Sequence, residues 1–298
     1  TTKLANDATM ESTGCEFTIS TTNIKTKDFK WTTDWIFGWA ENTITKLDSR
    51  SQVYSLVNGV GRTEGRPIGA LYSIPFAGLT EEGLPTFFID AEHTQVVGPG
   101  NYAAIYFQEY ENIDYLKYEG TIDPKITGSF GNTFSWKGLK LNVFFTYSFG
   151  NVLRLDNLCP VYSSDYSDLT ASMKEMKNRW MIPGDENVTT IPSIPTVRQM
   201  REIDALSNAY SAYNYSTERV AKGDFIRLKE LSLAYDLPKK YFEGQNAVSS
   251  FGVKLSATNI WLAYADKKLN GRDPEYYNTG GVSSPVPRQF TLTVKLGF

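Results

Sequence analysis

Little in this sequence can support redox, metal or phosphate chemistry. Among 298 residues there are two cysteines and one histidine, and the charges nearly balance at a net −3. Cys15 and Cys159 lie far apart in unlike surroundings, which fits incidental thiols and neither a disulfide framework nor a zinc site. His93 stands alone in "DAEHTQVV", and without a second His or Cys close by it is expected to be a solvated loop residue. No metal and no cofactor is therefore expected. "GVGRTEGRPIG" is rich in glycine but lacks the Lys-Ser/Thr pair of a phosphate-binding loop. A slightly acidic chain gives no reason to expect nucleic acid as a partner. "TTKLANDATMESTG" has no basic stretch leading into an apolar core, so no signal peptide is expected there. No apolar run approaches the roughly 18 residues of a membrane helix, but strands escape that test because only every second residue faces lipid.

Alternation, by contrast, is abundant. In "DFKWTTDWIFGWAEN" the odd positions Phe29, Trp31, Thr33, Trp35, Phe37 and Trp39 are all aromatic but Thr33, and the even ones include Lys30, Thr32, Asp34 and Gly38. "KITGSFGNTFSW" and "LKLNVFFTYSF" repeat the scheme around a tight Lys137-Gly138 pair, which predicts an antiparallel hairpin. "CEFTIS", "SFGVKLSAT" and "RQFTLTVKLGF" follow it too, while "FIRLKELSLAYDLP" is clean only in its second half. A period of two with one apolar face predicts strands.

The predicted connections are unequal. "IKTK", Lys137-Gly138 and about a dozen residues after Pro238 are short. The stretches of about 41–120, 150–223 and 265–286 are long and rich in Tyr, Asn, Asp, Pro and Gly. Tight turns at one end and long loops at the other are the pattern of an outer-membrane barrel. If "RPIGALYSIPFAGL" is a full crossing there are eight strands; otherwise seven, and "IKTK" then falls on the side of the short turns. Seven is favoured. The competing fold is a soluble β-sandwich, but aromatic faces opposite small uncharged residues, over about ten positions, argue for lipid. Trp31, Trp35, Phe37 and Trp39 are accordingly expected to face lipid.

"EGRPIGALYSIPFAGL", "YEGTIDPKITGSFGNTFSWKGLKLNVFFTYSFGN", "NRWMIPGDEN", "GDFIRLKELSLAYDLPKK", "LSATNIWLAYADKKLNGRDPE" and "PVPRQFTLTVKLGF" together resemble the C-terminal third of the SusC/RagA family, TonB-dependent transporters of the Bacteroidetes outer membrane. The resemblance covers residues 14–298. It implies an all-β fold, an antiparallel transmembrane barrel segment with long extracellular loops, its seven or eight strands part of a barrel of about 22. It also implies import of glycan or peptide oligomers with a SusD-like surface lipoprotein, a TonB complex engaged through a missing N-terminal region, and recognition by the outer-membrane assembly machinery. No plug and no N-terminal extension is recognisable, so the chain is expected to be a portion of a longer protein. The alternative is a soluble carbohydrate-binding or hydrolytic β-domain.

Candidate site residues follow from loop composition. "CPVYSSDYSDL" and "SNAYSAYNYSTE" supply Tyr162, Tyr166, Tyr210, Tyr213 and Tyr215, side chains that stack on sugar or peptide faces at low entropic cost, or else pack the loop on itself. Trp180 belongs to a predicted short helix, capped at Ser167 or Asp168 and ended before Pro183, with Met173 and Met176 on the same side. The pairs Asp273/Glu275 and Asp185/Glu186 fit loop turns better than a glycosidase acid and base, so no enzymatic role is expected. Phe290, Leu292, Val294, Leu296 and Phe298 form the row expected to serve as an assembly signal.

Overall fold

The computed structural model describes residues 7–158, 174–242, 248–277, 285 and 287–298. Its largest feature is a seven-stranded sheet whose strands neighbour one another in chain order. They are β1 (Ala8–Lys25), β2 (Phe29–Leu47), β3 (Ile126–Trp136), β4 (Leu139–Phe149), β5 (Phe225–Asp236), β6 (Ser250–Ala265) and β7 (Gln289–Gly297). The pairings from β2 to β7 are antiparallel. Among the described residues this sheet therefore has seven strands. "RPIGALYSIPFAGL" forms two four-residue strands outside this sheet, Ala70–Ser73 and Phe76–Leu79.

Alternation within each strand becomes continuous rows across the sheet. One row runs Trp31, Phe134, Leu141, Leu233, Leu255, Leu292, each opposite the next. The adjacent row runs Thr32, Thr133, Asn142, Ser232, Ser256, Thr291. Directly opposed residues in an antiparallel pair share a face, so one face is mainly apolar and the other mainly polar. The apolar face stays open: Leu292 is 66% exposed and Leu255 53%. A water-soluble sandwich would cover such a face with a second sheet. Trp31, Trp35, Phe37 and Trp39 lie on it, opposite Phe134, Phe130, Gly128 and Ile126.

Two differences from the sequence-based expectation have physical causes. Strands β1 and β2, of 18 and 19 residues, outrun the alternating stretches, because alternation marks only the part of a strand that meets an apolar layer. The untidy half of β5 reflects a register shift between Leu228 and Glu230 against both neighbours. With one residue bulged, Ile226 and Leu228 join Leu231, Leu233 and Tyr235 on one face despite opposite parity.

Contact density divides the chain into two units. One holds 12–41, 124–151 and 222–298, and hence most of the sheet; the other holds 1–11, 42–123 and 152–221. The second is built from two of the long connections, whose described residues pack together. They bury Val53, Leu56, Leu84, Phe87, Tyr102, Leu206, Tyr210 and Tyr213 in a core of their own. Three helices serve it: α1 (Val53–Val57), α2 (Val197–Glu202) and α3 (Leu206–Asn214). Helix α3 buries Leu206, Ala209, Tyr210 and Tyr213, the i, i+3, i+4, i+7 stripe of a helix against a core. Helix α2 starts at a reciprocal capping box between Thr196 and Gln199, which satisfies two donors that would otherwise be orphaned.

Candidate functional site

On the polar face of the sheet, Thr133, Lys140, Asn142, Ser232, Lys254 and Lys295 line one depression. Lys254 lies 3.4 Å from Glu230. Hydroxyls and an amide between long cations make this a hydrophilic stretch of the face. At the other end of β5 the guanidinium of Arg227, buried among Phe225 and Tyr276, pairs with Asp273 and at 3.2 Å with Glu275. Asp273 also caps the turn after it, accepting from the backbone of Glu275 at 3.1 Å. Both carboxylates are thereby committed to holding the β6–β7 connection. A hydrolytic acid–base pair needs both carboxylates free to face substrate, and here both are engaged by the buried guanidinium.

The second unit contains the tyrosines named from the sequence. Tyr210 and Tyr213 are core side chains, each 1% exposed, and the Tyr210 hydroxyl donates to the carbonyl of Ser193 at 2.7 Å. For these two, packing of the connection on itself is what the structure shows. Tyr215 is half-buried, with edge contacts to Tyr54 and Phe107. Tyr162 and Tyr166 lie outside the described residues, as do Met173 and the expected cap at Ser167 or Asp168. Of the predicted helix, Lys174–Asn178 is a single 3-10 turn with Met176 buried. Trp180 is half-buried, its indole N–H donating to Glu186 at 3.1 Å. Asp185 and Glu186 bind backbone N–H groups of Met181, Ile182 and Gly184, as loop-turn carboxylates do. His93 stacks on Phe88 in a loop, 4.9 Å between ring centroids.

Arg154 and Tyr54 were not singled out in the sequence. The Arg154 guanidinium donates to the carbonyls of Ser216, Val57 and Tyr72 and to the Ser73 hydroxyl. It also lies 5.9 Å from the Tyr215 ring centroid. Burial draws its pKa down to about 10, against the pull of Glu119, so it remains a cation at neutral pH. It fixes the backbone beneath Tyr215, while Tyr54 stands 53% exposed at its edge. The result is an aromatic shelf on a rigid base. No local pattern marks such an arginine, because its partners are carbonyls from three separate segments.

Fold and faces define the class: a stretch of wall from an antiparallel outer-membrane β-barrel, with its connections folded into a body of their own. No family model matches the chain. It is 26% identical over 331 aligned residues to TonB-dependent receptor P3 of Formosa agariphila, covering 99% of this chain and 29% of that protein. It is 27% identical to TonB-dependent receptor P26 of the same organism, covering 99% and 30%. The solved RagAB peptide importer in its "closed-closed" state matches with a TM-score of 0.69 at 24% identity over 98% of this chain and 30% of that one. The RagAB peptide transporter matches at 0.68 and 22%. The chain spans less than a third of the relatives it matches. Its curated relatives are thus TonB-dependent receptors along the whole length of this chain, and its fold is shared with RagAB.

Proposed function

We propose that residues 14–298 form the C-terminal portion of the barrel of an energised importer of glycan or peptide oligomers, working with a SusD-like surface lipoprotein. Likeness along the whole chain to TonB-dependent receptors, together with the uncovered apolar face, supports this above a soluble carbohydrate-binding or hydrolytic domain. In this reading the plug and the contact with the TonB complex belong to the protein outside these residues. The sheet supplies part of the wall and a polar inner face. Tyr215 and Tyr54 on the Arg154 base, with Tyr162, Tyr166 and Trp180 as further candidates, give the connections their ligand-contacting aromatics. The peptide class is favoured by the likeness to the RagAB peptide importer.

The test is uptake of labelled oligopeptides and oligosaccharides by cells carrying the full-length protein. Tyr54→Ser combined with Tyr215→Ser should lower uptake at least about tenfold, the size expected when central aromatic anchors are lost. Barrel content, read by heat-modifiable gel migration, should stay unchanged. Undiminished uptake would remove the shelf from the binding surface, and a parent that needs no detergent for extraction would refute the membrane assignment.

A further inference from the structure

Towards the short turns, the apolar face of the sheet ends in a row that runs Phe29, Trp136, Leu139, Tyr235, each opposite the next. Trp136 is 54% exposed and Tyr235 41%. β1 reaches the same row. Phe17 meets the Phe37 ring, and Asn23 donates to the Thr33 hydroxyl at 2.6 Å, so the odd positions of β1 share this face and Lys25 is the last of them. Indole and phenol rings, apolar in body and polar at one edge, settle where hydrocarbon gives way to headgroups. This is the outer face of the wall. Further strands of a barrel extend it sideways, and whatever fills the barrel lies against the other face, so lipid is what meets this row.

The turns beyond the row carry an excess of positive charge. Lys137, in the left-handed region at φ 46°, donates its N–H to the carbonyl of Asp28 at 3.1 Å, which ties the β1–β2 turn to the β3–β4 turn. Lys27, Trp136 and Lys137 line one depression there, with the Lys137 ammonium 5.7 Å from the Trp136 ring centroid. Carboxylates are present too. Asp28 lies 3.9 Å from Lys137, but both side chains are more than half exposed, and such a pair is only weakly held. Lys30, Lys140 and Asp236 also line the depression. They belong to the polar face, where Lys30, Ser135, Lys140 and Ala234 oppose one another and Asp236 follows Ala234 by two. The described residues of the β5–β6 turn include no carboxylate. With the polar face counted, five lysines stand against two aspartates; without it, Lys25, Lys27 and Lys137 stand against Asp28 alone.

We propose that Lys25, Lys27 and Lys137, grouped around Trp136, form a binding site for the phosphate of an anionic phospholipid in the leaflet on the side of the short turns. Two observations together name that ligand. The row is continuous with the lipid-facing surface, which gives acyl chains their place, and the cations stand just beyond it, where headgroup phosphates lie. Lysine stems pass along apolar surface and leave their ammonium groups at that level. A lipid of net negative charge is favoured over a zwitterionic one, whose own amine already compensates its phosphate. The site rests on the reading of this sheet as outer-membrane wall.

The experiment places the full-length protein in phosphatidylcholine vesicles, with and without phosphatidylglycerol, and reads amine acetylation lysine by lysine from peptide masses. Phosphatidylglycerol should slow Lys25, Lys27 and Lys137 at least about threefold and leave Lys254 and Lys295, on the polar face, unchanged. Lys137→Gln should remove most of the protection at Lys25 and Lys27, and inorganic phosphate added to phosphatidylcholine vesicles should protect none of the three. Equal slowing of all five lysines would reduce the effect to bulk surface potential and overturn the site. Protection by inorganic phosphate alone would overturn it as well, and so would no protection in vesicles where heat-modifiable migration shows a folded barrel. Failure of the folded protein to enter vesicles at all would overturn the membrane reading and the site with it.

Discussion

Single residues on the apolar face show how a lipid-facing surface carries polar groups without cost. The Tyr147 hydroxyl accepts from the Trp35 indole at 2.9 Å and donates to the carbonyl of Ile36 at 2.9 Å, crossing over the strand between them. That crossing is possible because the residue beneath the ring is Gly128, where a methyl would overlap both the Tyr147 ring and the Ile36 carbonyl. In the same way Asn132 accepts from Trp31 at 2.8 Å and from Thr33 at 2.7 Å. These four donors find protein acceptors, as lipid supplies none. Gly128→Val should expel Tyr147, break both of its bonds and cost the barrel about 1 to 3 kcal/mol. Tyr147→Phe, which keeps the ring over the glycine, should cost less. Urea unfolding of the full-length protein in lipid vesicles checks the order, and equal losses would show that the hydroxyl bonds, and not the ring, carry the whole cost.

At the scale of elements, legibility followed the environment of each segment. The strands bordered by an apolar layer were readable because lipid imposes a strict period of two; thus β4, with Leu139, Leu141, Val143, Phe145 and Tyr147 on one face, appears where the alternation puts it. Where that demand lapses, so does the signal: the outer half of β2 and the bulged half of β5 are strand without clean alternation. The folded body of connections was illegible for another reason. Its core joins short segments far apart in sequence, such as Val53 with Tyr213, so no local period reveals it. Composition alone consequently leaves Tyr210 and Tyr213 open between ligand contact and packing, and the structure buries both. The β6–β7 connection illustrates a third case, in which the carboxylates of "NGRDPEYY" are plain in the sequence but their partner Arg227 lies 46 positions from Asp273. Asp273→Asn would leave that buried cation with Glu275 alone and should cost about 2 to 4 kcal/mol of local stability. Hydrogen exchange at residues 273–277 of the full-length protein should quicken while exchange in β5 holds. No change there would mean that Glu275 suffices as counter-ion.

For the molecule as a whole, the decisive feature is an open sheet with one polar and one apolar face. β7 is bonded along one edge to β6, and its outward row Phe290, Leu292, Val294, Leu296 faces the same way as Ala257, Leu255, Val253 and Phe251. The other edge has no partner in the described sheet, and free backbone donors and acceptors cannot stay unpaired in hydrocarbon. Another strand must therefore complete β7, and building that seam is a task for assembly as much as for equilibrium stability. Phe298, 90% exposed just past the strand, separates the two. Near the end of a crossing a charged residue costs only about 0 to 1 kcal/mol, too little to unfold a barrel. Lys295, opposite Gly252 on the polar face, serves as the control. Phe298→Asp or deletion of Phe298 should sharply lower the amount of folded full-length protein in the outer membrane, and Lys295→Asp should not. Protein refolded in vitro from the same variants should show nearly unchanged urea stability. Loss in cells without loss in vitro would make the terminal row a recognition mark; equal accumulation of both variants would reduce it to one more lipid-facing strand.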